Sequence, residues 1–108
     1  MTDFPAENAG ATTGGVLTER SGALAGTDTV PGGCLLLMRN TGAGAHTVTL
    51  VNNQTADGLT VSNRTHPLTA GQIKAARVNP LWADANGRVG IGVDATPTEV
   101  KYYVLGGV

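Results

Sequence analysis

The sequence predicts an all-β domain: an antiparallel β-sandwich or jelly roll of about seven or eight short strands, preceded by an extended N-terminal arm. Three observations predict it. From Thr27 onward, short apolar or alternating runs are separated at regular intervals by Gly, Pro, Asn and Asp. These runs are rich in β-branched residues and too short for ordinary helices. No segment supplies the crossover helices of a parallel α/β sheet, which excludes that class.

The elements follow in order. Residues 1–25 are rich in Ala, Gly and Thr, with Phe4, Val16, Leu17 and Leu24 as the sizeable apolar groups. Such a segment cannot bury enough surface to fold alone, so it reads as a tail or as an arm ordered on another surface. The pair Val16-Leu17 looks like a short extended strand and favours the arm. Residues 26–108 form the sandwich domain. Thr27–Val30 reads as a strand that ends at the turn Pro31-Gly32-Gly33. The apolar run Cys34–Arg39 reads as a central strand covered on both faces. Thr47–Leu50 and Leu59–Ser62 alternate as half-buried strands, and Asn52-Asn53 and Asp57-Gly58 bracket the loop between them.

Pro67 lacks an N–H, so Arg64–Leu68 is expected at a sheet edge. Gln72–Val78 reads as a strand despite its helical propensity, because it is short and lies among strands. Asn79-Pro80-Leu81-Trp82 has an N-cap followed by Pro at the first helical position, which predicts a single helical turn. Asp84–Gly87 reads as a hairpin turn, since the later acidic ligands of a calcium loop are missing. Val89–Val93 puts its branched residues on one face; Gly90 and Gly92 on the other let a neighbouring backbone approach or relieve crowding. Val100–Leu105 is the last strand, with Tyr102 and Tyr103 on opposite faces.

Composition narrows the function. The 108 residues suit one domain with one modest core. Aromatics are 4% of the chain, so Val, Leu and Ile must build that core. Charged residues are 14%, well under the usual ~25%, which points to a partner covering part of the surface or to the neutral surface of a Thr- and Asn-rich β domain. The net charge of −1, with no Lys/Arg run, offers no field for nucleic acid or an acidic membrane. The opening residues Met1–Glu7 lack the basic and apolar regions of a signal peptide, and no stretch is long enough to span a bilayer, so synthesis in a cytoplasm is expected.

No catalytic constellation emerges, and the chain is expected not to be an enzyme and to need no cofactor. Cys34 is the only cysteine; within its apolar run it reads as a small buried hydrophobe. His46 and His66 have no partner at metal-ligand spacing, so no metal site is expected. Ser21 and Ser62 lie in no nucleophile elbow. Trp82 reads either as a lid on the core or as an exposed anchor for a partner or a sugar, with the lid preferred.

The run Asp28-Thr29-Val30-Pro31-Gly32-Gly33, then Leu35-Leu36-Leu37 with Arg39-Asn40, then Thr47-Val48-Thr49-Leu50, resembles small virion proteins of phages of actinobacteria. Arg64-Thr65 with Pro67, Gln72 near Ala70-Gly71, the segment Asp84–Val89 and the closing Val100–Leu105 follow the same outline. Thr27 stands where that family has Gly. These signatures are turns and strands, so they specify a fold family better than a function. The resemblance implies a capsid decoration (cement) protein or another small structural virion protein. Such a protein is made in the host cytoplasm and placed on the capsid exterior. It binds the major capsid protein and itself, as a homo-oligomer for which a trimer is the expectation. Phe4, Val16 and Leu17 of the arm, together with Trp82, are then the candidate contacts. Two other classes stay open: a carbohydrate-binding or adhesive sandwich centred on Trp82, and a tail or head–tail connector subunit.

Overall fold

In the computed structural model, which describes residues 2–8, 17–24 and 28–106, strands form largely where alternation and turn chemistry predict them. The first strands are β1 (Thr2–Asp3), β2 (Glu7–Asn8), β3 (Arg20–Ser21) and β4 (Asp28–Pro31). Next come β5 (Leu35–Asn40), β6 (His46–Leu50), β7 (Thr55–Ala56) and β8 (Leu59–Thr60). The last are β9 (Arg64–Leu68), β10 (Ile73–Arg77), β11 (Arg88–Val93) and β12 (Val100–Gly106). The chain is all-β, a sandwich of two mainly antiparallel sheets. One sheet runs β1-β4-β11-β6-β9; the other runs β10-β5-β12-β2, with β3 also on β12.

The period-2 pattern decides the core. In β5, Leu36 and Met38 point inward, and in β12, Val100, Tyr102 and Val104 do the same. They meet Val30, Val48, Leu50, Val89 and Ile91 from the facing sheet. Tyr102 is the core tyrosine and Tyr103 the surface one, as opposite faces require. The close neighbour of Gly90 is a side chain and not a backbone. A Cβ there would lie 3.2 Å from Cγ2 of Val51, whose N–H bonds the Gly90 carbonyl.

Local chemistry places the edges and turns. β9 pairs with β6 alone, and Pro67 lies opposite Thr47 on this edge strand. Asn79 caps the 3₁₀ turn Pro80–Trp82, its Oδ1 accepting from the Leu81 N–H at 2.9 Å. Asp84 Oδ1 accepts from the N–H groups of Asn86 and Arg88, closing the predicted turn. The expected strand over Leu59–Ser62 shrinks to the two residues of β8, paired with β7. Asp57 (φ 53°) and Gly58 (φ 79°) make a tight hairpin with both central residues left-handed, which splits off this small ribbon.

Asn40 is a buried polar knot. Its Nδ2 donates to the carbonyls of Gly44 and Leu68, and its Oδ1 accepts from the Gly42 N–H, so the side chain is well satisfied without exposure.

Two expectations are corrected. The outer face of β5 is only half-covered: Leu35, Leu37 and Arg39 keep partial exposure while their neighbours are buried. The second concerns the arm. Over its described residues it returns to its own sandwich, because it carries a side chain the core lacks. Phe4 is 5% exposed, with its ring centroid 6.4 Å from that of Tyr102 and the Arg20 guanidinium above it at 5.4 Å. Three hydrogen bonds fasten the segment here: Phe4 N–H to the Thr29 carbonyl, Arg88 Nη2 to the Phe4 carbonyl, and Thr29 Oγ1 to Asp3. Phe4 is therefore a core residue of this chain and is not displayed to a partner. Val16 lies outside the described residues. Leu17 is described but is not in a strand.

Phe4→Ala should lower the unfolding free energy by about 3–4 kcal/mol, the usual loss for a buried Phe; urea unfolding measures it. A residue of a free arm would leave the midpoint unmoved. Tyr102→Phe should be neutral or stabilising, because the Tyr102 hydroxyl is buried with no partner among the described residues. A loss above about 1 kcal/mol in the same assay would reveal a hydrogen bond to that hydroxyl.

Candidate interaction surface

The ladder registers assemble the outer face of the β5 sheet. Ile73, Arg39 and Lys101 stand side by side across β10, β5 and β12, and Ala75, Leu37 and Tyr103 form the next row. Over these rows lies the segment Leu17–Glu19. Thr18 holds it to β2, its N–H and hydroxyl both donating to the Glu7 carboxylate at 2.8 and 3.1 Å. Glu19 then reaches the sheet: its Oε2 accepts from Arg39 Nη2 at 3.1 Å and from the Tyr103 hydroxyl at 2.7 Å. The carboxylate pushes the Tyr103 pKa up by favouring the protonated phenol, and partial burial adds to this.

Between segment and sheet, Leu17, Leu37, Ile73 and Tyr103 line an open apolar cleft of about 300 Å³, with Arg39 at its side. Ile73 is 63% exposed, so an apolar side chain stands in water at the rim. Of the candidate contact residues that the structure describes, Leu17 reaches this cleft and Phe4 and Trp82 do not. Ile73 and Leu37 were missed, because only the pairing of β10 with β5 aligns them. The alternation of Ile73 and Ala75 against Lys74 and Ala76 was a signal for a face, but it could not say which side is outward.

Trp82 is the lid. It is 9% exposed and belongs to the core, its carbonyl accepting from both the N–H and the Nδ2 of Asn53. The Arg64 guanidinium lies 5.9 Å from its ring centroid. Beside the pair runs a polar groove of about 430 Å³, lined by Asn52, Gln54, Ser62, Asn63 and Asn79 as well as Arg64 and Trp82.

Cys34 is buried, and burial pushes its thiol up to about 11, which keeps it protonated and unreactive at neutral pH. His46 is the unforeseen feature. Its Nδ1 meets Asp94 Oδ1 at 3.0 Å and its Nε2 meets Glu99 Oε1 at 2.7 Å. The hydrogen bond to Glu99, then that to Asp94, hold its pKa above the usual histidine value. For Asp94, burial pushes the other way, but the hydrogen bonds from His46 and from backbone N–H groups prevail and keep the carboxyl below its usual value. The two carboxylates occupy opposite edges of one ring, so a single ion cannot bind all three groups. Among the described residues no three His, Cys, Asp or Glu side chains are grouped to hold a metal. The cluster is a strut: Glu99 precedes β12, Asp94 follows β11, and His46 opens β6.

Comparison with protein families, with curated proteins and with solved structures finds no match to this chain.

The strut predicts a pH dependence. A histidine whose folded pKa is raised contributes stability that is complete below its unfolded pKa of ~6.5 and is lost as pH rises through the folded value. Asp94, held low, contributes stability that is present above ~3.9 and lost as pH falls below it. Urea midpoints should therefore be highest between these limits and decline from pH 6 to pH 9. His46→Gln should flatten the alkaline decline; an unchanged decline in that variant would assign it elsewhere.

Proposed function

We propose that this protein is a structural virion component that binds the outer surface of a phage capsid and decorates or stabilises it. The observation that carries this reading is the open apolar cleft on the outer face of the β5 sheet, on a sandwich poor in surface charge. Exposed apolar groups gathered on one face are the usual mark of a protein contact surface. Arg39, Lys101 and Arg77 stand on the same sheet face, Arg39 paired with Glu19, which suits a capsid surface that is apolar at its centre and acidic at its rim. The resemblance of the turn and strand signatures to those of small virion proteins of actinobacterial phages points the same way.

A modest core also gains from such an attachment, since a partner that binds only the folded state shifts the unfolding equilibrium. Self-association around a capsid symmetry axis belongs to the same proposal. The rival assignment within a virion, a tail or connector subunit, differs in copy number.

Purified protein added to mature shells lacking it should co-sediment and saturate at a copy number set by the capsid lattice. Ile73→Asp should weaken this binding at least tenfold (about 1.4 kcal/mol or more) while leaving the urea midpoint nearly unchanged, because Ile73 is exposed. Binding of only a few copies per particle would favour the tail or connector role. Undiminished binding by the variant would remove the cleft from the interface.

A further inference from the structure

We propose that the polar groove beside Trp82 is a second binding site, and that it takes a carboxylated sugar of the uronic-acid type. It shares no residue with the apolar cleft.

The acceptors of the groove's asparagines are committed. The backbone N–H of Asn52 donates to Asn63 Oδ1 at 3.0 Å, that of Gln54 to Asn52 Oδ1 at 2.9 Å, and that of Leu81 to Asn79 Oδ1 at 2.9 Å. A backbone N–H can be met only by the amide oxygen, so each of these bonds fixes the orientation of its amide. The Nδ2 of Asn52 donates to the Ser62 carbonyl at 3.4 Å. The NH₂ groups of Asn63 and Asn79 have no acceptor among the described residues. Arg64 contributes the charge. It lies over Trp82 and makes no ion pair among the described residues, and no carboxylate lines the groove. What remains is one guanidinium with the amide donors of Asn63 and Asn79, beside the uncommitted side chains of Gln54 and Ser62 and no carboxylate.

A carboxylate answers the guanidinium, which offers paired N–H groups in the geometry of two oxygens. The neutral donors, with the Ser62 hydroxyl and the Gln54 amide, suit the hydroxyls of a sugar ring. The volume of about 430 Å³ falls in the range of small-ligand sites. A neutral sugar stacked on tryptophan fits poorly, because Trp82 is 9% exposed and Arg64 lies over its ring. A single cation in a chain of net charge −1 is too little for a nucleic-acid backbone.

Trp82 is the only tryptophan of the chain, so its fluorescence reports on the groove directly. The full chain is titrated with glucuronate, glucose and inorganic sulfate, and amide NMR shifts of Asn63 and Asn79 are followed in parallel. Glucuronate should give a saturable change, with glucose at least about tenfold weaker and sulfate weaker still. Arg64→Gln should weaken glucuronate binding by about tenfold or more. Asn79→Asp keeps the oxygen that caps the turn but loses the NH₂ donor and adds a like charge, so it should also abolish binding with folding intact. Glucose binding as well as glucuronate would overturn the carboxylate assignment. Sulfate binding as well would reduce the site to a plain anion site and overturn the sugar. No response to glucuronate, or full binding by both variants, would overturn the site itself. Shell binding by the same variants is read separately by sedimentation and is expected to be unchanged.

Discussion

The scarcity of large side chains is the constraint on which the rest of this structure depends. With one Phe, one Trp and two Tyr in 108 residues, a core of Val, Leu and Ile has few groups large enough to close its gaps. Phe4, Tyr102 and Trp82 are therefore all drawn inside. Burying each removes on the order of 150–250 Å² from water, more than any aliphatic neighbour can offer. This explains why the N-terminal residues come back to the sandwich. Phe4 has a place beside Tyr102, and Arg88 and Thr29 satisfy the backbone that brings it there. It also explains why the Pro80–Trp82 turn sits against the core.

What remains outside follows from the same economy. Tyr103 cannot enter the core, because Tyr102 already does and adjacent strand residues face opposite ways. It joins Leu37 and Ile73 on the outer sheet face, where Glu19 anchors its hydroxyl. Once Trp82 is inside, Arg64 covers its ring and the groove beside it is left to amides. One face of the molecule thus presents apolar surface, and a loop region presents hydrogen-bond donors. Those two surfaces suit different kinds of partner.

Polar groups with little exposure hold the loops that connect the sheets. Asn40 ties its own loop to the end of β9, and His46 ties the segments that flank β11 and β12 to the start of β6. Each is nearly fully paired, which is the condition under which a buried polar group supports a fold and does not weaken it. His46 also makes this end of the sandwich sensitive to protonation, through carboxylates that are remote in sequence.

The sequence by itself determined the longer strands β4, β5, β6, β9, β10, β11 and β12, the edge position of β9, the capped turn at Asn79 and the split between Tyr102 and Tyr103. Each of these depends on interactions within a few residues: alternation, a missing N–H at Pro67, a side-chain oxygen two residues from the N–H it accepts. The tertiary structure alone decided the parallel pairing of β1 with β4 and of β2 with β12, the embrace of His46 by Asp94 and Glu99, the apolar cleft and the Arg64–Trp82 contact. Leu17 could be marked as apolar, but nothing near it in sequence says that Leu37, Ile73 and Tyr103 will surround it. Those contacts join residues far apart along the chain, and only the register of the ladders and the stacking of the sheets bring them together.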